Sequence, residues 1–532
     1  MTLLLRVLAA ALSGLAQLAA LEPYGLWPLA VLGPALLLAA VHGVRPRRAA
    51  WLGAVSGASL MVPLIHWQKV FGLDVWLVIA AAETVYFAPM AAGLALVARL
   101  PGWPLWTAAL WVAQEFCRAR FPLGGFPWGK LAFSQPDTPF AGYAALGSSA
   151  LVTFMVALTG AALVAAARAL WSARTGTAAR ELLLPLLAGL AAAALVPLGG
   201  SLALRATALQ EDHTATVALV QGNVPNVGEV NILGERMQVL RNHVEGVHEL
   251  ARLVRAGEVA QPDLVVLPEN ASDIDAYTDP QAAALISAAA DDIGVPLLFG
   301  ITRYSPDGSQ REIRSVVWHP GSGPGDHYTK RYLVPFGEYV PFRDVFATVV
   351  TRLQQIGSDA VPGTEPGALD LNGTTVAAVI CFDVAFDLPV RESVAAGGQV
   401  IVVPTNNANY NFTGQSAQQL AITQLRAVEH GRPAVVASTS GISAVVDEHG
   451  RLRYRSPEAE AAVHVAEVPA MRGLTPATRL GALPETALTL LGLGAVVAAL
   501  VRARRGQDGA RPAEREARSE ERRVGKECRS RW

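Results

Sequence analysis

The chain has 532 residues, 52% of them hydrophobic and only 16% charged, with a mean hydropathy of +0.33. An ordinary soluble domain carries about 25% charged residues, so this composition excludes a disordered chain and argues against a purely soluble one. The formal net charge of −1 conceals three regions: residues 1–210 hold 13 basic and 6 acidic residues, 211–501 hold 19 and 32, and 502–532 hold 11 and 6. Cys117, Cys381 and Cys528 are too few and too scattered for a disulfide framework or a zinc site.

A bilayer core needs about 20 apolar residues per helix. Seven such segments are predicted before residue 210, over 2–21, 24–42, 50–71, 75–98, 103–118, 140–168 and 182–204, and an eighth over 483–501. The first has the length of a signal peptide, but another span follows it at once, so it is read as a helix that stays. Basic residues then set the orientation. Arg45, Arg47 and Arg48 follow the second span, Arg99 the fourth, Arg168, Arg174 and Arg180 the sixth, and Arg502, Arg504 and Arg505 the eighth. These loops are expected inside the cell, which places both termini inside and the long polar segment outside. One loop disagrees. Arg118, Arg120 and Lys130 flank Phe121-Pro-Leu-Gly-Gly-Phe-Pro-Trp128 on the outer side, and this mixture reads either as an interfacial aromatic belt or as a contact for lipid headgroups. Glu83 and Glu115 lie within spans, where a carboxylate is costly and faces the bundle interior. A structural and a functional role are equally open for both.

From residue 213 short β-branched runs alternate with helical stretches, the pattern of an α/β domain. Strands are predicted over 216–221, 264–267, 296–301, 315–319, 375–380, 400–403, 434–438, 444–447 and 463–468, and helices over 231–256, 280–292, 387–397 and 415–430. Several of the strands are continuous apolar runs, as strands buried on both faces should be. Two of them end in chemistry: Leu264-Val-Val-Leu-Pro-Glu269 delivers a carboxylate, and Thr375-Val-Ala-Ala-Val-Ile-Cys381-Phe382-Asp383 a thiol. Between them a loop carries Lys330 and, eight residues on, Glu338. Residues at the carboxyl ends of buried strands converge on one crevice. A thiolate there attacks a carbonyl, a carboxylate takes its proton and an ammonium steadies the oxyanion. Taken alone, each residue has a plainer reading: Cys381 as a small buried hydrophobe, Glu269 as a helix-entry residue, Lys330 as a solvated cation. Their joint occurrence favours the site.

The strings Leu267-Pro-Glu-Asn, Lys330-Arg-Tyr-Leu-Val-Pro-Phe-Gly-Glu338-Tyr-Val-Pro, Val379-Ile-Cys381-Phe-Asp, Pro404-Thr-Asn-Asn-Ala408 and Leu425-Arg-Ala-Val-Glu-His-Gly-Arg432 resemble the carbon–nitrogen hydrolase (nitrilase) superfamily. Together with the flanking spans, they are similar to its bacterial apolipoprotein N-acyltransferases over about residues 1–502. The resemblance implies eight membrane spans and an αββα sandwich: seven spans over 1–210, an extracytoplasmic catalytic domain over 211–472, a connector and eighth span over 473–502, and a cytoplasmic tail over 503–532, with the whole in the bacterial cytoplasmic membrane. It implies Cys381 as nucleophile, Glu269 as general base and Lys330 as the oxyanion-stabilising cation, with Glu338 in support and the backbone N–H of Phe382 as a second oxyanion donor. The acyl donor would be a phospholipid, phosphatidylethanolamine-like, and the acceptor the N-terminal amine of a diacylglyceryl-cysteine apolipoprotein. No cofactor, metal or nucleic acid is implied. A membrane-anchored amidohydrolase using the same residues with water as acceptor is the alternative.

Two features depart from the family. Many members carry Cys-Tyr-Glu where this chain has Cys381-Phe382-Asp383, and no tryptophan follows Gln221-Gly-Asn-Val-Pro-Asn-Val-Gly-Glu229. After Glu338, helical spacing puts most of Phe342, Val345, Phe346, Val349, Val350 and Leu353 on one side, which reads as a core-facing helix or as a lid dipping into the outer leaflet. Residues 518–532 are similar to a translated sequencing adapter and are expected to carry no function.

Overall fold

The computed structural model describes residues 1–174, 179–226, 234–344 and 357–505. The expected lid residues beyond Phe342, Glu229 of the glycine motif and the 518–532 tail lie outside them.

Each of the eight apolar segments holds a helix. They are α1 (Leu3–Ala20), α2 (Leu29–Val41), α3 (Pro46–Leu64), α4 (Leu73–Val85) with α5 (Phe87–Val97), α6 (Trp103–Arg118), α7 (Tyr143–Arg174) and α8 (Ala179–Ala206), and a final helix, Leu483–Arg505. The fourth segment is divided because Pro89 has no N–H to give the carbonyl of Val85, which breaks the hydrogen-bond ladder there. Among the described residues five helices are long and apolar enough to cross a membrane: Leu3–Ala20, Leu73–Val97, Tyr143–Ser172, Pro185–Ala206 and Leu483–Arg505. The other three, α2, α3 and α6, fall short by length or polarity. They also sit deeper in the protein; ten of the sixteen residues of α6 are buried, whereas α1 turns Leu4, Leu5, Leu8, Leu12 and Leu15 outward. Close helix contact rests on small residues. A Cβ on Gly14 would come within 2.2 Å of the Ser56 carbonyl, and one on Gly53 within 2.3 Å of that of Phe87.

The three cations of the discordant loop are all paired, and Arg118 and Lys130 are buried. Arg118 hydrogen-bonds Glu83 and the Trp128 carbonyl. Arg120 pairs with Glu485 at 2.5 Å, and Lys130 bonds Ser149 and lies 3.8 Å from Asp387. Glu115 accepts from the Leu131 N–H and the Thr153 hydroxyl, so it ties this loop to α7.

The polar region folds into two sheets. The first contains β1 (Gln210–Gln221), β2 (Leu264–Val266), β3 (Leu297–Tyr304), β4 (Gln310–His319), β5 (Gly323–Thr329) and β6 (Asp359–Ala360); the second contains β7 (Ala368–Leu371), β8 (Thr374–Ala378), β9 (Val400–Thr405), β10 (Ala434–Ser438), β11 (Ala444–Val446) and β12 (Leu452–Arg455). A last strand, β13 (Ala462–Arg472), returns to the free edge of β1. The orders are β13-β1-β2-β3-β4-β5, with β6 on β4, and β12-β11-β10-β9-β8-β7. The central strands β1, β2 and β3, and likewise β8, β9 and β10, run parallel. Inner faces meet through Leu219, Leu264, Val266, Val376, Val402 and Val435. Helices α9 (Gln238–Arg255) and α10 (Pro280–Ile293) cover the outside of the first sheet.

The outside of the second sheet is covered by α11 (Asp387–Ala395) and α12 (Gln415–His430), and then by the membrane helices, whose core is continuous with it. Every residue of α12 is buried although the helix is rich in glutamine, because it is pressed between sheet and helical bundle. Strands β5, β7 and β12 were not anticipated from sequence. They are sheet edges, and β5 and β12 are largely exposed, so neither presents the apolar run that marks a buried strand.

Candidate active site

Glu269 follows β2, Lys330 follows β5 and Cys381 follows β8, so three strand ends meet at one place. Glu269 approaches because β3 carries Gly300 beside it: a Cβ there would lie 2.0 Å from the Pro268 carbonyl. Cys381 sits at φ +50°, in the left-handed region that costs a non-glycine residue about 1–3 kcal/mol. This turn between β8 and the short helical turn Cys381–Ala385 points the side chain out of the sheet.

Lys330 is 1% exposed and its ammonium lies between two carboxylates, 2.9 Å from Glu269 Oε1 and 2.5 Å from Glu338 Oε1. The other oxygen of each acid is also held. Glu269 Oε2 accepts the Asn406 N–H at 3.0 Å, and Glu338 Oε2 accepts the Val334 N–H at 2.8 Å. The Cys381 thiol lies close enough to Glu269 and Lys330 to feel both charges, and the Thr405 side chain and the Asn406 N–H favour its thiolate. Burial pulls the Lys330 pKa down, but the two carboxylates outweigh it and hold the ammonium well above its ordinary value. Burial raises Glu269, and Lys330 only partly offsets this. Burial, reinforced by the Glu269 charge, pushes the thiol up to about 12. The resting arrangement is thus a protonated thiol beside a carboxylate with raised proton affinity and a fixed cation. It is poised to move one proton from sulfur to oxygen when a carbonyl arrives.

Asp383 is fully buried and, among the described residues, its side chain is hydrogen-bonded to groups outside this trio. It accepts the Tyr328 hydroxyl at 2.8 Å, the Tyr332 N–H at 2.7 Å and the Ile380 N–H at 3.2 Å. It therefore fastens the cysteine turn to the strand and loop on either side of Lys330. The Phe382 ring points away from the thiol's partners and stacks on Phe126 and Trp128, with centroids 6.0 and 6.3 Å apart. Arg426, wholly buried, donates to the carbonyls of Val384 and Ala385 and braces the turn from below.

A cavity of about 860 Å³ opens above these groups. One wall carries the candidate groups Glu269, Lys330, Glu338 and Cys381, with Asn406 and Tyr410. The other belongs to the helical region: Trp67 and Phe71, the face of α4 with Val75, Val78, Ile79 and Glu83, and Phe126 and Trp128 of the outer loop. Trp67 meets Tyr410 edge-on at 5.2 Å. Sequence reasoning missed Asn406, Tyr410 and the aromatic wall. Asn406 follows the apolar strand β9 as Cys381 follows β8, a signal that was available; Phe126 and Trp128 stand out in sequence as an aromatic loop, but their meeting with Trp67 and Phe71 beside the thiol does not, because these residues are adjacent only in space.

Two family models match the chain. That of the apolipoprotein N-acyltransferase N-terminal domain covers residues 13–162, and that of the carbon–nitrogen hydrolases covers 216–476. The apolipoprotein N-acyltransferase of Mycolicibacterium smegmatis is 37% identical over 505 residues, spanning 92% of this chain and 84% of the relative. That of Azotobacter vinelandii is 32% identical over 522 residues, spanning 92% and 94%. Among solved structures, a nitrilase-superfamily amidase from Nesterenkonia AN1 aligns with 52% of this chain and 98% of its own at 19% identity, with a TM-score of 0.38.

Proposed function

The chain belongs to the apolipoprotein N-acyltransferases, membrane enzymes of the carbon–nitrogen hydrolase superfamily that acylate lipoproteins, and from that premise we propose that Cys381 carries the acyl chain as a thioester between donor and acceptor. The donor is a phospholipid. Glu269 takes the thiol proton as sulfur attacks the ester carbonyl, and the oxyanion develops beside the Lys330 ammonium and the Phe382 N–H. The collapsing intermediate expels the lysophospholipid alkoxide, which recovers the proton from Glu269. In the second step the α-amine of the diacylglyceryl-cysteine attacks the thioester. Glu269 accepts the amine proton, the amide forms and the thiol is restored. An ester is exchanged for an amide through a thioester, so the sequence runs downhill without a nucleotide.

The observation that carries this reading is the composition of the cavity, with catalytic groups on one wall and membrane helices on the other. A hydrolase of small amides has no need of a hydrocarbon-facing wall, and burial of the trio keeps water from the thioester. Glu338, which shares Lys330 with Glu269, keeps the ammonium in place during both steps. The eight helical segments are read as eight crossings. The short α2 and the polar α3 and α6 are supported within the bundle by their neighbours, and the basic residues at or just beyond the C-terminal ends of α2, α5, α7 and the last helix are read as the cytoplasmic side. The catalytic domain, about residues 211–472, then stands on the outer face of the cytoplasmic membrane.

The test combines purified protein, phosphatidylethanolamine and a diacylglyceryl-cysteine peptide, and weighs the peptide. A gain of one acyl chain is expected. Ammonia released from simple amides with no mass gain would instead establish the amidohydrolase. Cys381→Ser should abolish a hydroxylamine-sensitive acyl adduct, and an adduct that persists would exclude Cys381 as nucleophile.

A further inference from the structure

Three carboxylates line the cavity among the described residues: Glu83, Glu269 and Glu338. Two of them bracket Lys330. Glu83 belongs to α4 on the opposite wall, is 3% exposed, and has no part in the acyl-transfer steps. Its Oε2 accepts from Arg118 at 3.3 Å. Arg118 is the last residue of α6, so Glu83 lies at the level where that helix gives way to the outer loop, although α4 itself continues for more than two further turns. Glu83 Oε1 has no hydrogen-bond partner among the described residues.

A buried carboxylate is costly unless its charge is paired and its oxygens are satisfied. Arg118 supplies the charge but only one of the bonds. The remaining oxygen lacks a donor, and the neighbouring wall, Val75, Val78 and Ile79, is hydrocarbon. Glu83 lines the cavity and its Oε1 is not sealed from it, so the missing donor can be supplied by the cavity's occupant. It must be cationic or strongly polar, and attached to something that tolerates an apolar wall.

We propose that Glu83 receives the primary ammonium of an ethanolamine phospholipid headgroup while the ester is held at Cys381, which makes it the residue that sets headgroup preference. The inference rests on the reading above, that the donor is a phospholipid. A primary ammonium offers N–H donors to Oε1, and a trimethylammonium offers none. The headgroup arrives with its own phosphate, so ammonium, phosphate, Glu83 and Arg118 together are neutral. The acceptor's α-amine does not fit this place, because an attacking amine must stand beside the thioester and give its proton to Glu269 on the far wall.

The experiment uses the full-length protein in nanodiscs without acceptor, so that only formation of the acyl adduct is read. Phosphatidylethanolamine and phosphatidylcholine are supplied in equal amount with acyl chains of different mass, and the adduct on Cys381 is weighed. The wild-type protein should favour the ethanolamine lipid by about tenfold, the scale of one hydrogen bond to a charged group. Glu83→Gln should bring the ratio close to one while the choline-derived adduct persists. An unchanged ratio overturns the proposal and leaves the donor reading standing, as does a defect confined to transfer onto an added acceptor peptide. No adduct from either lipid with the wild-type protein overturns both. Because Glu83→Gln also deprives Arg118 of its partner, a second measurement needs no variant: wild-type protein is given the mono-, di- and trimethylated ethanolamine lipids. Adduct formation should fall steeply at the trimethyl step, where the last N–H is lost, and a flat series overturns the proposal.

Discussion

The side-chain oxygen of Gln418 accepts the indole N–H of Trp128 at 2.7 Å, joining α12 of the α/β domain to the aromatic loop of the helical region. The same oxygen accepts the Trp67 indole N–H at 3.2 Å, and the amide nitrogen donates to the carbonyls of Glu22 and Leu64. One buried glutamine thus satisfies both tryptophans of the cavity wall and two ends of the helical bundle.

Gln418→Leu should therefore be among the most damaging changes outside the trio. It leaves two buried indole N–H groups without acceptors, at about 1–3 kcal/mol each. The transition in thermal unfolding of the detergent-solubilised protein should fall by several degrees. Surviving protein should form the acyl adduct slowly, since the wall opposite Cys381 is no longer fixed. A variant with wild-type unfolding and wild-type adduct rate would show that the domains are held elsewhere.

Glu269→Gln separates thiol acidity from catalysis. The Glu269 charge raises the Cys381 pKa and Lys330 lowers it, so the neutral amide should let the thiol ionise at lower pH than in the wild type, where it stands at about 12. The inflection in the pH dependence of iodoacetamide labelling should move downward. Acyl transfer should nevertheless be lost, by at least about a hundredfold, because no group remains to carry the proton. An inflection that stays in place or rises would mean that Glu269 does not face the thiol as an anion.

The pH dependence of the wild-type adduct rate follows from the same group. Glu269 must be ionised to take the thiol proton, and burial raises its pKa above the ordinary 4.5. As pH falls, activity should be lost through this raised value, earlier than for an exposed carboxylate. Initial rates across an acid series in nanodiscs would locate the limb. A limb at or below 4.5 would contradict the buried environment.

Asp383→Ala should act through structure. It removes the acceptor of two backbone N–H groups and the Tyr328 hydroxyl, with an expected cost of about 3–5 kcal/mol. Asp383→Asn keeps one acceptor oxygen and should recover part of the loss. Unfolding curves of both variants, set beside their adduct rates, would check this. Full stability with abolished chemistry would instead place Asp383 in contact with the substrate.

The central strands, α12 and the catalytic candidates were legible in the sequence because each is a local signal. A strand buried on both faces must be an apolar run, and a Glu, Cys or Asn just beyond it stands out against that run. The edge strands β5 and β12 were not legible, because an exposed strand carries no such run. Among the described residues, five helices in the eight apolar segments are long and apolar enough to cross a membrane. The remainder depend on neighbours, which hydropathy does not see. The loop with Arg118, Arg120 and Lys130 reads from sequence as an interfacial aromatic belt or a headgroup contact, yet each cation is paired with a carboxylate of the protein, Arg118 and Lys130 within its interior.

The sequence by itself determined the membrane character, the α/β domain and the set of strand-end groups in the candidate site, because composition, periodicity and strand-end chemistry are written in contiguous residues. The tertiary structure decided that Lys330 is shared by two acids, that Asp383 and Gln418 are fasteners, and that Glu83 faces the nucleophile's cavity. Trp67 and Gln418 are 351 positions apart. A bond of that kind depends on how two folded layers meet, and no local pattern specifies it.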